Sequence, residues 1–311
     1  MYEQISANKW KSGFIVFAFI VFVVGFGYII GLAWGGPERP HVGLIGLAVA
    51  MVVALFMTFT SYYHSDRIAL AVSGARPLRE GEYIRYRNAV EGLAIAAGIP
   101  TPKIYVIDSP AMNAFATGRN PEHSSVAATT GLLEKLNDIE IQGVIGHEIS
   151  HIKNYDILIQ TITVILVGTV ILLSDIFLRS IWFSDDSDSG EGAWIFLIIG
   201  IVMAILAPII ATILQLAISR KREYLADANS ALLTRYPLGL ASALEKLAAD
   251  PAQLRTANKA TAHLFIVQPL KKGRGQRGSF FNRLFDTHPP ISDRIRRLHQ
   301  MAGGFVPLEE K

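Results

Sequence analysis

The stretch at residues 14–34, FIVFAFIVFVVGFGYIIGLAW, contains no charged side chain and is followed by Gly35-Gly36-Pro37. An apolar run of about 20 residues has the length that a helix needs to cross the hydrocarbon core of a bilayer. A secretory signal would have a shorter apolar core and a cleavage site of small residues. We therefore predict a retained membrane-spanning helix at 14–34.

Three more apolar blocks follow along the chain, at 42–60, 157–177 and 193–218. The first two blocks are joined by a link too short to form a domain, and the last two by a short acidic run. The composition agrees with a membrane protein, because only 18% of the residues are charged, against about 25% in soluble proteins. We predict four transmembrane helices in two hairpins, at 1–60 and 157–218.

Two segments of mixed composition, 61–156 and 219–311, lie outside the hairpins. The second is mainly helical in pattern, whereas the first also contains strand patterns and is predicted to form a small sheet. Its predicted elements are a helix at 82–97, a strand at 103–108, a turn with a short edge strand at 112–118, and a strand at 124–130.

The positive charges near the apolar blocks fall mostly on one side of the predicted membrane. Cytoplasmic flanks of membrane proteins are enriched in lysine and arginine. Both termini and both mixed segments are therefore predicted to face the cytoplasm, where the segments can form one site. The positive residues on that side are Lys9, Lys11, Arg67, Arg76, Arg79, Arg85, Arg87, Arg220, Lys221 and Arg222.

A helix is predicted to begin at Asn137, because Asn137 and Glu140 have the spacing of a capping box, and it contains the motif His147-Glu148-Ile149-Ser150-His151. Histidines four residues apart lie on one helix face, where both imidazoles can bind one metal ion. Glu148 could take a proton from a metal-bound water. A helix with ordinary surface histidines and a glutamate remains the alternative.

The extended form of this motif, with a glycine and then a third histidine six residues after the second, is absent, because Asn154 and Ile157 occupy those two positions. Glu223 is the first acidic residue that the predicted topology returns to the same side. Glu223 lies about six residues after the fourth block, and His151 lies about six residues before the third block. At a helical rise of about 1.5 Å per residue, both would lie roughly 9 Å from the bilayer edge. The predicted hairpin at 157–218 therefore brings Glu223 to the height of His151, and we predict that His147, His151 and Glu223 bind one metal ion.

Asp227 follows Glu223 by four residues, so both lie on one face of the predicted helix. A carboxylate at this position could accept the free ring N–H of a ligand histidine and fix its tautomer. The alternative for both acids is an exposed charged face of a helix.

The motif at 147–151 and the later stretch REYLAD at 222–227 resemble those of the HtpX-type membrane peptidases, which are related to the CAAX prenyl proteases. Further stretches are similar to the same family, and the resemblance runs from about residue 60 to 300. These stretches are NAFATG at 113–118, HLFI at 263–266, and THPP at 287–290 with Arg294-Ile295.

The resemblance implies a mainly α membrane protein with four transmembrane helices and a cytoplasmic α+β, zincin-like catalytic domain. That domain would have two parts, 61–156 and 219–311. The resemblance also implies one Zn²⁺ ion per subunit, bound by His147, His151 and Glu223, with Glu148 as the general base.

By the same resemblance, Asn113 holds the substrate backbone and His288 stabilises the oxyanion of the tetrahedral intermediate. From the residues alone, Asn113 could equally be a turn residue, and His288 could belong to a helix cap. Tyr224 and Arg294 could line the site, whereas His263 is expected to be structural rather than a ligand.

The function that the resemblance implies is an endopeptidase of the cytoplasmic membrane that cleaves misfolded or damaged membrane proteins, as quality control in the stress response. Its partners would be membrane-protein or unfolded polypeptide substrates and the lipid bilayer. An intramembrane protease is disfavoured, because Lys153, Asn154 and Asp156 place the motif at the interface. Prenyl-protein or other specific-substrate processing and a non-catalytic membrane scaffold remain alternatives, and the oligomeric state stays open.

The composition argues against several other classes. The net charge of +3 is small and scattered, which disfavours a nucleic-acid partner. The chain has no cysteine, so disulfides, thiolate metal ligands and a cysteine nucleophile are excluded.

Overall fold

The computed structural model describes residues 2–35, 38–160, 162–163, 220–252, 264–266 and 289–303. Within these ranges the chain is mostly helical and forms one small mixed sheet. The fourth predicted span, 193–218, lies outside the described residues. Of the third, 157–177, only 157–160 and 162–163 are described, and both pieces are helical.

Two long helices form an N-terminal hairpin, α1 at Tyr2–Gly35 and α2 at His41–Val72. Each contains a candidate membrane span, at Asn8–Leu32 and His41–His64, with mean hydropathies of 2.7 and 2.6. Only 22% and 11% of the most apolar window in each is buried. A core helix of a soluble protein would be mostly buried, so these exposed apolar surfaces agree with the prediction of two membrane helices.

The two helices of the hairpin approach closely where both carry glycine. A Cβ atom on Gly46 would overlap the carbonyl oxygen of Gly27, and one on Gly31 would overlap the carbonyl oxygen of Val42. Small residues at such contacts let helix backbones approach each other within a membrane. Backbone-to-backbone packing therefore holds the hairpin together.

Helix α2 continues past its apolar part and reaches the sheet. Its buried residues Ala69 and Leu70 pack with Ile107, Phe115 and Phe265 in one apolar cluster. The rings of Phe115 and Phe265 meet edge to face, with centroids 5.2 Å apart. Helix α2 therefore runs without a break from the hairpin to the sheet, and its packing fixes the position of the hairpin relative to the sheet.

The sheet contains four strands in the order β1-β2-β4-β3. Strands β2 and β4 are parallel, and the other two neighbouring pairs are antiparallel. The strands predicted at 103–108 and 124–130 are confirmed, and the predicted short edge strand is the seven-residue β3. The strand bounds are β1 Ala75–Pro77, β2 Lys103–Ile107, β3 Ala114–Asn120 and β4 His123–Thr129.

Further helices pack against the sheet and against one another. Their bounds are α3 Ile84–Ala97, α4 Thr130–Lys135, α5 Asp138–Lys153, α6 Arg220–Thr234, α7 Pro237–Ala249 and α8 Ile291–Gly303. Helix α5 begins with the predicted capping box, because the Asn137 side chain accepts from the N–H of Glu140 and the Glu140 carboxylate accepts from the N–H of Asn137. This helix carries the HExxH motif.

Helix α5 lies in the centre of the core, packed against α3, α6, α7 and β3. Two glycines make room for its neighbours. A Cβ on Gly143 would lie 2.5 Å from the backbone nitrogen of Leu240 in α7, and one on Gly146 would lie 2.8 Å from Oγ of Ser230 in α6. That hydroxyl donates to the carbonyl of Gly143 at 2.6 Å. The small face of α5 therefore brings α6 close enough for its acidic residues to reach the histidines.

Replacement of Gly143 by alanine is expected to lower the melting temperature of the detergent-solubilised protein, because the added methyl meets rigid backbone. Overpacking of this kind costs about 1–3 kcal/mol. Gly92→Ala is the matched control, since a Cβ there meets nothing within 4 Å on an exposed face of α3. Alanine in a helix is favoured over glycine by about 0.5–1 kcal/mol, so the control should melt higher. An equal rise in both variants would contradict the close packing of α5 and α7.

Candidate metal centre

Three potential metal ligands from two helices meet at one buried point. His147 and His151 come from α5 and Glu223 from α6, and each is at most 4% exposed. The two Nε2 atoms lie 3.1 Å apart, and the Glu223 carboxylate oxygens lie 3.8 Å from Nε2 of His147 and 3.5 Å from Nε2 of His151. The structure thus brings together the three residues that the sequence predicted as one ligand set.

The spacing of these atoms suits a tetrahedral metal ion. With ligand bonds of about 2.0–2.1 Å, the donor atoms of such a site are about 3.3 Å apart. The observed separations of 3.1, 3.5 and 3.8 Å lie on both sides of this value. Two imidazoles and one carboxylate also match the donor set of catalytic zinc sites, which leave a fourth position for water or substrate.

Each histidine has its other ring nitrogen next to a buried carboxylate. Nδ1 of His147 lies 2.9 Å from Oδ1 of Asp227, and Nδ1 of His151 lies 3.0 Å from Oδ2 of Asp156. An ionised carboxylate only accepts hydrogen bonds, so each Nδ1 carries the proton and donates it. In the neutral imidazole, which is the form that binds a metal ion, the lone pair of each Nε2 is then directed at the point that the two histidines share with Glu223.

Asp227 occupies the position that the sequence predicted, whereas the role of Asp156 is new. In the sequence, Asp156 indicates only that the motif lies at the membrane interface, and its contact with His151 is not predicted. An acid one turn beyond the second histidine is the signal that could have identified it, because the end of α5 brings that acid back to His151.

Arg294 of α8 is fully buried and binds Asp227 through two parallel hydrogen bonds. Its Nε donates to Oδ2 at 2.9 Å and its Nη2 to Oδ1 at 2.7 Å. Nη1 donates to the carbonyl of Ile266 at 3.1 Å and lies 3.9 Å from the Glu223 carboxylate. The sequence suggested only that Arg294 could line the site, whereas the structure makes it the counter-charge of the buried carboxylates.

Burial and neighbouring charges shift the pKa values of these groups in different directions. Burial, reinforced by the positive charge of Arg294, lowers the pKa of His147 to about 4. Burial also acts to lower the pKa of His151, but Asp156 and Glu223 outweigh it and raise the value to about 9. Burial acts to raise the pKa of Asp227, and Arg294 and His147 reverse this and lower it to about 2. The carboxylate charges of Asp156 and Glu223, which favour the protonated ring of His151, would also favour a bound metal ion at the same place.

Glu148 lies on α5 between the two histidines in sequence and is 2% exposed. Burial is the main reason that its pKa is raised to about 7, and the charges of His151 and Arg294 act against it. The backbone N–H of Ala116 in strand β3 donates to the Glu148 carboxylate. A carboxylate with a pKa near neutrality and a fixed orientation has the properties of a general base.

Asn113 directly precedes β3 and is 3% exposed. Its backbone pairs with Thr129, and its side-chain oxygen accepts from the N–H of Ala114 at 3.1 Å. Tyr224 is half-buried, and the guanidinium of Arg297 lies 4.0 Å from its ring centroid. His288 and His263 lie outside the described residues, so the expectations for both stay predictions.

Comparisons with known proteins find similarities over most of this chain. The profile of peptidase family M48 matches residues 82–302. A protein named "Protease HtpX homolog" from Dictyoglomus turgidum is 46% identical and spans 100% of this chain and 98% of its own length. A protein of the same name from Tropheryma whipplei is 44% identical, and the match spans 98% of this chain and 100% of that protein. The crystal structure of S. mikatae Ste24p is similar at 22% identity with a TM-score of 0.44, over 96% of this chain and 66% of that one.

Proposed function

This chain belongs to peptidase family M48 and is a membrane metalloprotease, and from this premise we propose that it is a zinc endopeptidase that degrades misfolded or damaged membrane proteins at the cytoplasmic face. The observation that supports the proposal most directly is the set of three buried donor atoms, 3.1 to 3.8 Å apart. Glu148 adds a proton acceptor next to that set in the sequence of α5.

In this proposal His147, His151 and Glu223 hold one Zn²⁺ ion per chain. When bound, zinc polarises the scissile carbonyl and lowers the pKa of a water molecule. Asp227 and Asp156 accept the ring N–H groups of the two histidines and keep the Nε2 lone pairs directed at their shared point. Arg294 offsets the negative charge of Asp227, which would otherwise be buried without a counter-ion.

Glu148 is the proposed general base. Its carboxylate takes a proton from the attacking water and returns it to the nitrogen of the leaving amine. The hydrogen bond from Ala116 fixes the carboxylate relative to β3. Burial excludes bulk water from the carboxylate, so the proton stays within the site.

Asn113 is proposed to hold the substrate backbone, because it directly precedes the strand whose Ala116 contacts Glu148. His288 is proposed to donate a hydrogen bond to the developing oxyanion, which such donors stabilise strongly. In the sequence, His288 lies six residues before Arg294. The Arg294 side chain binds Asp227, which in turn contacts Nδ1 of His147.

The proposed topology has membrane hairpins at 1–60 and 157–218 and one catalytic domain formed by 61–156 and 219–311. Both termini and the active site face the cytoplasm in this arrangement. Helix α5 precedes the second hairpin and α6 follows it, yet they pack side by side. This is the arrangement expected if the intervening chain leaves and returns on the same side of the membrane.

A broad substrate range is proposed because four membrane helices enclose too little space for a closed chamber. Unfolded polypeptides and damaged membrane proteins are then favoured over one lipid-modified peptide. Processing of prenylated proteins is the alternative within the same chemistry, and a direct competition between substrate types separates the two.

We expect the purified full-length protein to contain one zinc ion per chain and to cleave an unfolded protein such as casein. Elemental analysis gives the metal content, and a membrane protein supplied in native and heat-unfolded forms gives the substrate preference. Cleavage of the unfolded form only would support the proposal. A chain without zinc, or one that prefers a prenylated peptide to casein, would contradict it.

A further inference from the structure

Asn8, near the start of the first membrane helix, is buried against the end of the HExxH helix. It is 3% exposed. Its Nδ2 donates to Oδ1 of Asp156 at 2.8 Å and to the carbonyl oxygen of Asn154 at 2.9 Å. A polar side chain at this depth is stable only with such partners. The amide therefore joins the membrane hairpin to the segment that follows α5.

The two carboxylate oxygens of Asp156 have different partners. Oδ2 accepts from Nδ1 of His151 at 3.0 Å, while Oδ1 accepts from Asn8 at 2.8 Å and from Nη1 of Arg222 at 3.3 Å. Asp156 is 2% exposed. The amide and the imidazole thus hold opposite ends of one buried carboxylate, which fixes its plane.

Asn8 also lies next to α6, which carries Glu223. Nη1 of Arg222 lies 3.4 Å from Oδ1 of Asn8 as well as 3.3 Å from Asp156. The amide therefore donates to the acid that orients His151 and accepts from the residue directly before Glu223. One side chain thus contacts both the acid that orients His151 and the arginine that directly precedes Glu223 on α6.

The position of Asn8 is set by apolar packing along the same helix. Ile15 and Phe19 of α1 pack with Leu158, Ile159 and Ile162 in a separate buried cluster. The next residue after Asn8, Lys9, has its Nζ 4.6 Å from the centroid of the Tyr155 ring. These contacts fix the register of α1 against residues 155–162, so the amide does not depend on a flexible loop for its placement.

We propose that Asn8 is a positioning residue of the metal centre, which acts through Asp156 on the orientation of His151. The inference rests on the proposed ligand role of His151 and extends it to a part of the chain that otherwise serves as a membrane anchor. The first membrane helix is then a structural component of the metal site. Loss of the amide removes the shorter contact to Oδ1 of Asp156 and leaves Arg222, at 3.3 Å, to oppose rotation of the carboxylate away from Nδ1 of His151.

The test is a competition for zinc between the full-length protein and a fluorescent chelator. Loss of a residue that supports a metal ligand directly costs about 10–100-fold in affinity. Asn8 contacts Asp156 and not the ligand His151 itself, so a smaller loss is expected. Asn8→Ala should weaken zinc binding by about 3–10-fold. Asn8→Leu has nearly the shape of asparagine and keeps the helix packed, so it should give the same loss. Cleavage by both variants should recover when free zinc is raised, which a folding defect would not allow.

Ser12→Ala is the matched control, since Ser12 is also buried on α1 and, among the described residues, its hydroxyl donates to the carbonyl of Asn8 in the same helix. It should leave zinc affinity unchanged. The double variant Asn8→Ala with Asp156→Asn should bind zinc no more weakly than Asp156→Asn alone, because both changes break one chain of contacts.

Wild-type affinity in Asn8→Leu, or additive losses in the double variant, would overturn the inference. The proposed ligand set is judged separately by the wild-type protein and by variants of Glu223. If the wild-type chain binds zinc and the Glu223 variants do not, an unchanged Asn8→Leu protein refutes only the role of Asn8.

Discussion

Glu148→Gln is expected to reduce kcat for casein cleavage by about 10²–10⁴-fold, the contribution typical of a general acid–base group, while the protein keeps its zinc. Glutamine has the shape of glutamate but cannot take a proton from water. The N–H of Ala116 can still donate to the side-chain oxygen at 148, so the packing beside β3 is preserved. The measurement pairs initial rates with elemental analysis of the same sample.

Glu140→Gln is the control for this prediction, because Glu140 is a second buried acid of the same helix. It is 2% exposed and accepts from Ser242 at 2.6 Å and Lys246 at 2.8 Å, away from the metal ligands. That variant should lose stability but keep its kcat per folded molecule. Undiminished cleavage by Glu148→Gln would remove Glu148 from the proposed role, whatever the control shows.

Glu223→Ala is expected to lose most of the bound zinc and, with it, the cleavage activity. The change removes the only proposed ligand outside α5 and leaves two imidazoles to hold the ion. Loss of residues that merely orient ligands already costs about 10–100-fold in affinity, so loss of a ligand should cost more. Zinc content after desalting gives the result directly.

Glu245→Ala is the matched control for the Glu223 variant. Glu245 is an exposed acid of α7, and its carboxylate lies 3.3 Å from the ring of His299, away from the metal ligands. It should retain one zinc per chain. Full zinc content in Glu223→Ala would refute the assignment of the third ligand and would direct attention to other acids near the two histidines.

Local sequence patterns were sufficient to find much of this site. The spacing of His147 and His151 follows from helical geometry, and the capping box at Asn137 marks where that helix begins. The return of Glu223 followed from the lengths of the apolar blocks. Each of these inferences depends on distances along one element or on one simple topology.

Contacts between distant parts of the chain could not be read in the same way. Asn8 and Asp156 are 148 residues apart, and Arg294 and Asp227 are 67 residues apart. An arginine in a polar helix such as α8 looks solvent-exposed in sequence, and its complete burial depends on a partner that only the fold supplies. Hydropathy likewise located the membrane part of α2 at 42–60, but the helix continues to Val72.

The placement of Arg294 near the end of the chain has a consequence for the timing of activity. A chain grows from its N-terminus at about 5–20 residues per second, so Arg294 is made roughly 4–14 s after Glu223. Until α8 arrives, the Asp227 carboxylate lacks its counter-charge, and His147 lacks its oriented support. The site is therefore incomplete until all four apolar blocks, which precede Arg294 in the sequence, have been synthesised.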